Sequence, residues 1–285
     1  MASPNSGPIV SSSLPPDLSP QQEQLYREIL VLLNRSRIPY AVSGAFALQQ
    51  FTGIWRTTKD LDVFITAKNA SAALDLLHAE GFRCEVCDPI WLAKAHRDGY
   101  FVDFITGMSN GAITVADSWI ERSTAAAVLD VPSRTLAPEE LLVSKLFVTR
   151  RERFDGADIA HIIFASKGSL NWDRVMTLAG PHSEVLLWAL QLYQYIYPAQ
   201  SSYVPAELGT KLIDQLRSNV LNPNPHARFR GSLIDENMFA IDIHEWGLDD
   251  LLSECRANLP EKITWTPPPG DRSQHGSDHE NSCDR

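Results

Sequence analysis

The first half of the chain alternates short apolar runs with stretches of helical spacing. In residues 21–135, apolar residues three and four positions apart predict helices, and apolar runs bounded by turn residues predict strands. The predicted helices cover 21–37, 45–51 and 70–80, and the predicted strands cover 40–42, 61–65, 82–86, 91–96 and 100–105. Helices and strands mixed in this order are typical of a small α/β domain built on one twisted sheet.

The second half of the chain has mainly helical spacing. The predicted helices cover 138 to about 153, 184–196 and 206–220. We therefore predict an α+β fold, in which a small mixed-sheet domain at 21–135 is followed by a helical domain at 136–265. Residues 1–20 are rich in Ser and Pro and are expected to form a flexible arm, and residues 266–285 are expected to form a disordered tail.

Composition and charge narrow the class of protein. The formal net charge of −10 argues against a generic nucleic-acid binder held by bulk electrostatics. A locally basic block, formed by Lys145, Arg150, Arg151 and Arg153, still allows a site for phosphates. The sequence contains no run approaching the roughly 18 apolar residues of a membrane span, and its N-terminus lacks the pattern of a signal peptide. We expect a cytoplasmic protein with no membrane partner.

Three aspartates are the strongest candidates for chemistry. Asp60 and Asp62 flank Leu61 at the start of an apolar strand, and alternate residues of a strand project to the same side. Asp103 lies within a second apolar strand, where an acid is costly without a partner. If the two strands are neighbours, three carboxylates converge, and such hard oxygen ligands suit Mg²⁺. An alternative interpretation of the Asp-x-Asp alone is a pair of acids at a strand edge, capping the preceding turn.

The Ser43-Gly44 turn joins a predicted strand to a predicted helix. Its backbone N–H groups can face an anion at the helix N-terminus. Ser43 can equally be an ordinary N-cap. The position of the turn in the chain favours the anion-binding interpretation, because the Asp-x-Asp strand and then the strand that carries Asp103 come after it.

This order of motifs resembles the polymerase-beta-like nucleotidyltransferase superfamily. The matching segments are Val42-Ser43-Gly44-Ala45 and Arg56-Thr57-Thr58-Lys59-Asp60-Leu61-Asp62, with Asp103 as the third acid. The resemblance implies that 21–135 is the nucleotidyltransferase domain and that the three aspartates hold Mg²⁺. It also implies that Ser43 and Gly44 cradle nucleotide phosphates, with Lys59 as a further nucleotide contact, and that Asp103 accepts the proton of the acceptor hydroxyl.

The resemblance extends to the minimal nucleotidyltransferases, including the toxins of abortive-infection systems. Those proteins carry a Lys on a helix, a basic turn and an Asp-x-x-Asp segment, which Lys145, Arg150–Arg153 and Asp155–Asp158 match here. By similarity, Lys145 contacts the phosphates, and Asp155 or Asp158 supports catalysis or orients Lys145. From the residues alone, Lys145 can instead be a lysine that reaches solvent from a half-buried helix face. Asp155 can be a helix cap, and the basic residue that acts at the site is left open among the three arginines.

Two functional hypotheses are consistent with these motifs. The first is an enzyme that transfers a nucleoside monophosphate from a nucleoside triphosphate to a hydroxyl of a nucleic acid, a protein or a small molecule. In its toxin form it modifies a tRNA 3′ end or a protein hydroxyl, and its partner is a cognate antitoxin. The second is a non-catalytic module that binds nucleotide and metal with the same fold.

Overall fold

The computed structural model of the protein describes residues 17–268. The predictions for residues 1–16 and 269–285 lie outside the described residues. The strands are β1 Ala41–Val42, β2 Leu61–Phe64, β3 Arg83–Asp88, β4 Leu92–Arg97, β5 Tyr100–Ile105, β6 Thr124–Val128 and β7 Val131–Thr135. The helices are α1 Pro20–Arg35, α2 Gly44–Thr52, α3 Ala67–Ala79, α4 Asp117–Arg122, α5 Pro138–Lys145, α6 Gly156–Ser166, α7 Trp172–Ala179, α8 Ser183–Ile196, α9 Ala206–Leu221, α10 Gly231–Ile234, α11 Ala240–His244 and α12 Leu252–Ala257.

The seven strands form one mixed sheet in the order β3-β4-β5-β2-β1-β7-β6. β2 pairs with β5 and β1 pairs with β7 in parallel, whereas the remaining neighbours are antiparallel. The predicted fold class, a mixed sheet combined with many helices, is confirmed. The order matters for function because it places β2 and β5, which are separated by two other strands along the chain, side by side.

Each face of the sheet carries its own hydrophobic core. Leu61 and Val63 point into a core shared with α1 and α3, whereas Phe64 and Ile105 point into a core shared with α2 and the helices from α4 onwards. This division follows from the alternation of side chains along a strand. Because the second core joins sheet residues directly to α5, α6 and α8, the later helices form one wall of any site on that face. The division of the chain into domains at residue 135 stays a prediction.

The structure also differs from the sequence prediction, and two of the differences concern the sheet and the site. The helix predicted to reach Arg153 ends at Lys145, and the chain then forms a loop that is closed by a hydrogen bond from the Asp155 N–H to the Val148 carbonyl, 2.9 Å long. The run Arg150–Arg153 has no apolar residue with which to continue the buried face of α5. The hairpin of β6 and β7 is also missing from the prediction, since its alanine-rich first strand and its Leu129-Asp130 turn carry weak strand and turn signals.

No helix in residues 17–268 combines the length and the apolar character that crossing a membrane requires.

Candidate active site

The carboxylates of Asp60, Asp62 and Asp103 converge at one point of the sheet. Asp62 and Asp103 are directly opposite each other in the parallel β2–β5 pair, so both side chains leave the same face. One oxygen from each of the three aspartates lies within 4.8 Å of the other two. Asp103 is fully buried, and Asp62 is half-buried. Among the described residues, this is the one group of acids, histidines and cysteines with the spacing of a metal site.

The donor set fits a hard divalent cation. Three carboxylates held this close repel one another unless positive charge lies between them. Oxygen ligands from Asp side chains, completed by water and substrate phosphate, are those that Mg²⁺ prefers. The three residues therefore fit a divalent cation bound through oxygen ligands.

The Ser43-Gly44 turn packs against Asp62. The Ser43 N–H donates to the Asp62 carbonyl oxygen over 2.8 Å, which ties the start of α2 to β2. Gly44 has φ +57°, and a Cβ atom there would lie 3.0 Å from Asp62 Cγ and still closer to Oδ2. Both the backbone conformation and the available space therefore require glycine. Ser43 occupies the N-cap position of α2, but its hydroxyl makes no capping hydrogen bond.

A hydroxyl in the preceding loop orients the first acid. The Thr58 hydroxyl donates to Asp60 Oδ1 over 2.8 Å, which accounts for a hydroxyl residue two positions before Asp60. Tyr26 on α1 donates to the carbonyl of Lys59 over 3.2 Å and holds the same loop from below. The Lys59 side chain is exposed and lies outside the set of residues that line the adjoining cavity. The structure therefore does not bring it to the carboxylates.

Lys145 lies at the centre of a buried network of charges. Its ammonium is 2.9 Å from Asp155 Oδ2 and 2.7 Å from Asp158 Oδ2, and the residue is only 6% exposed. It is thus a paired buried lysine and not one that reaches out to solvent. Asp155 occupies the N-cap position of α6, but its side chain makes no capping hydrogen bond and binds Lys145 instead. Arg56 completes the network through an ion pair with Asp158.

Arg153 is the arginine of the basic loop that faces the acids. Its guanidinium is 3.3 Å from Asp155 Oδ1. Burial lowers the pKa of Arg153, but Asp155, Asp62 and Asp60 more than offset this, and the pKa is raised. Arg150 instead donates to the Ser109 hydroxyl over 2.7 Å, and the backbone N–H of Arg151 donates to Asp235. The structure thus separates the three arginines that the sequence left equivalent.

A cavity of about 470 Å³ opens at this point; Asp60 and Asp62 line it, whereas the fully buried Asp103 does not. Its inner wall is formed by the Ser43-Gly44 turn, Asp60, Asp62 and Lys145. Arg150, Glu152, Arg153 and Asp155 from the basic loop line one side, and Ser109, Asn110, Asp235 and Asn237 line another. Asp158 lies behind Lys145, outside the cavity lining. The cavity thus combines a candidate metal site with cations that suit phosphate and with a polar wall from the later part of the chain.

The ion pairs of Asp155 make the free energy of unfolding depend on pH in the acidic range. Burial raises the pKa of Asp155, but Lys145 and then Arg153 outweigh it, so the pKa lies below its ordinary value. A carboxyl whose pKa is lowered by folding stabilises the protein above its unfolded pKa, and this contribution is lost as the pH falls through the folded pKa. We expect Asp155→Asn to lower the free energy of unfolding at pH 7 by about 2 kcal/mol. The difference from wild type should shrink below a pH of about 4, as urea unfolding at several pH values would show; a constant difference would contradict this origin.

Two members of the site were not found from the sequence. Lys94 on β4 is 1% exposed, and its ammonium lies 3.1 Å from Asp103 Oδ1. Its signal was a lysine two positions after Leu92, on the same strand face, and a lysine in a strand by itself resembles an exposed position. Arg56 was visible within the Arg-x-Thr-x-Asp-x-Asp motif, but nothing in the sequence identified Asp158 as its partner.

Three solved structures are similar to the chain. The antibiotic-resistance factor ANT(2'')-Ia is 15% identical, with 63% of this chain and 99% of that chain covered and a TM-score of 0.44. The lincosamide antibiotic adenylyltransferase LnuA is 17% identical, with 51% and 96% covered and a TM-score of 0.37. An antigenic nucleotidyltransferase-like protein from Paracoccidioides brasiliensis is 21% identical, with 65% and 93% covered and a TM-score of 0.40. At these scores, nothing about the chemistry of this chain is inferred from the three proteins.

Sequence comparison assigns the family. No curated protein matches the chain. Residues 22–184, more than half of the chain, match the family described as nucleotidyl transferase of unknown function (DUF2204). The match contains the Ser43-Gly44 turn, the three aspartates and Lys145, and the resemblance to nucleotidyltransferases is confirmed. The chain is a nucleotidyltransferase and belongs to this family.

Proposed function

We propose that the protein is a Mg²⁺-dependent enzyme that transfers a nucleoside monophosphate from a nucleoside triphosphate to a hydroxyl acceptor. The observation that carries the proposal is the convergence of three carboxylates, within 4.8 Å of one another, beside a cavity that two of them line. A helix N-terminus and two cations adjoin this point. The combination suits a substrate that carries several negative charges and reacts at phosphorus.

The metal would be held by Asp60, Asp62 and Asp103. When bound, Mg²⁺ supplies positive charge that neutralises the phosphate oxygens and the departing pyrophosphate. The Thr58 hydroxyl, 2.8 Å from Asp60 Oδ1, fixes one of these ligands before any ligand binds. Gly44 leaves room for another, because any side chain there would overlap the Asp62 carboxylate.

The phosphates of the nucleotide would lie between the start of α2 and the basic loop. Ser43 and Gly44, at the start of α2, line the cavity, and helix N-termini favour anions. Lys145 and Arg153 also line this cavity. Asp155 and Asp158 contact these cations and hold them in place, and Arg56 pairs with Asp158, so the three act as positioning residues.

The transfer itself is a substitution at the α-phosphorus. The acceptor oxygen forms a bond to this phosphorus, and the bond from phosphorus to the β-phosphate oxygen breaks. The leaving pyrophosphate takes the electron pair of that bond. The proton of the acceptor hydroxyl passes to the Asp103 carboxylate, which acts as the general base.

The acceptor would enter from the wall formed by Ser109, Asn110, Asp235 and Asn237. Asn110 donates to the carbonyl of Leu233 over 2.8 Å, which joins the loop after β5 to the later segment. Asp235 and Asn237 lie beyond residue 184, where the family match ends. Residues outside the family match would therefore contribute to the recognition of the acceptor.

The test is transfer from nucleoside triphosphates labelled at the α-phosphate, with Mg²⁺ and a panel of nucleic-acid, protein and small hydroxyl acceptors. We expect pyrophosphate release and a labelled acceptor, both lost in excess EDTA. If no transfer is seen, calorimetry with Mg²⁺ and each nucleotide distinguishes a protein that only binds from one that lacks the site. Metal-dependent binding without transfer to any acceptor would favour the non-catalytic module, and no binding would contradict the proposed site.

A further inference from the structure

Lys94 is a buried lysine that touches the third carboxylate of the site. It lies in β4, is 1% exposed, and places its ammonium 3.1 Å from Asp103 Oδ1. The same ammonium lies 4.0 Å from the centroid of the Phe101 ring, which covers it on another side. Lys94 does not line the cavity over the carboxylates. The ion pair with Asp103 is the contact that links Lys94 to the site.

The strand register places Lys94 in a row of charges across four strands. Glu85 on β3 is opposite Lys94, Lys94 is opposite Asp103 on β5, and Asp103 is opposite Asp62 on β2. Residues directly opposite one another in a ladder leave the same face of the sheet and are close neighbours. Asp103 is thus flanked by a cation on one side and by the Asp62 carboxylate on the other.

Stability alone gives a poor account of this pair. Taking an ammonium and a carboxylate out of water costs several kcal/mol per ion, and their attraction repays this only with good geometry. Apolar residues of similar volume often stabilise a protein as much as a buried ion pair does. The feature that an apolar pair would lack is a cation fixed at one oxygen of Asp103.

We propose that Lys94 is a positioning residue for the transfer reaction. This inference rests on the proposed function, in which Asp103 takes the proton of the acceptor. By holding Oδ1, Lys94 fixes the plane of the carboxylate and directs its other oxygen, Oδ2, towards the site. The acceptor proton passes to Oδ2 while the acceptor oxygen bonds to the α-phosphorus and pyrophosphate leaves.

The kinetic test compares Lys94→Met with wild type under saturating Mg²⁺. Methionine keeps the length of the side chain and removes its charge. We expect kcat to fall about 100-fold, as for other losses of alignment. The KM for the nucleotide should stay within about threefold, because the start of α2 and Lys145 are unchanged. The matched control is Lys68→Met on the exposed surface of α3, which should leave both constants unchanged.

A rise in KM with kcat unchanged, or no change in either constant, would overturn the role of Lys94. If wild type transfers nothing to any acceptor, the proposed function fails first and this inference with it. If wild type is active and Lys94→Met is equally active, only the inference fails. The two failures are thus distinguishable.

Thermal unfolding without nucleotide tests the same pair independently of turnover. Asp103→Asn removes the carboxylate charge 3.1 Å from a buried ammonium, so its Tm should fall. The double variant Lys94→Met with Asp103→Asn removes both charges and should unfold at a higher temperature than Asp103→Asn alone. This comparison holds even if Lys94→Met fails to fold by itself. A double variant that is less stable than Asp103→Asn would show that Lys94 packs in the sheet without acting on Asp103, and would overturn the proposal.

Discussion

Replacing Asp62 by Asn should abolish metal-dependent nucleotide transfer and leave the protein folded. Asp62 is next to both other acids of the site. It is opposite Asp103 in the ladder and comes two residues after Asp60. An amide keeps the shape of the side chain and removes the charge that a divalent cation requires. Since a bound metal supplies several kcal/mol of charge stabilisation in the transition state, we expect a loss of about 1000-fold or more.

The fold should tolerate this change because Asp62 is half-buried and two neighbouring carboxylates repel its negative charge. Removing one of three like charges relieves repulsion in the metal-free protein. The Tm should therefore equal or exceed that of wild type. Asp214→Asn, on the exposed side of α9, is a matched control that should retain full activity. Transfer by Asp62→Asn at the wild-type rate would remove this residue from the metal site.

The aspartate cluster was predicted from the sequence only in part. The alternation of Asp60, Leu61 and Asp62 predicts two carboxylates on one face, and the structure shows them there. Their meeting with Asp103 depended on β2 and β5 being neighbours, which the sequence posed only as a condition. Pairing between strands that are distant along the chain is decided by the packing of both faces of the sheet, and this is not encoded in any single segment.

The missed contacts share one physical cause. Arg56 pairs with Asp158, which is distant along the chain, whereas Lys94 pairs with Asp103 on the next strand, at a register that the sequence does not state. A charged residue is usually exposed, so local pattern assigns it to solvent unless a partner is known. The buried partner becomes visible only after the strands and helices have been assembled.

The incorrect end of α5 has a different cause. Helical propensity is a weak prior that tertiary contacts override, and Arg and Glu are good helix formers. The run Arg150–Arg153 therefore extended the predicted helix. In the structure, Arg150 donates to Ser109, and the chain returns through the bond from the Asp155 N–H to the Val148 carbonyl. The chain therefore leaves the helix, and Arg150 and Arg153 line the cavity.

Replacing Gly44 by Ala should remove most of the activity, because the start of α2 lies against the Asp62 carboxylate. Gly44 has φ +57°, which an L-residue adopts at a cost of about 1 kcal/mol or more. Its added methyl group would lie 3.0 Å from Asp62 Cγ and nearer to Oδ2, so the carboxylate or the turn must move. A displacement of about 1 Å at a reacting centre costs on the order of 100-fold in rate. Steady-state transfer from a labelled nucleotide measures this loss.

Gly81 offers a matched control, since it comes just after α3 with φ +81° and a Cβ atom there would meet nothing within 4 Å. Gly81→Ala carries the backbone strain of a positive φ without the overlap. Both variants should therefore lose stability in urea unfolding, by about 1 kcal/mol for Gly81→Ala and by more for Gly44→Ala. Only Gly44→Ala should lose activity. Equal activity in the two variants would show that the close approach of α2 to Asp62 is not needed for transfer, and the phosphate site would then have to lie elsewhere in the cavity.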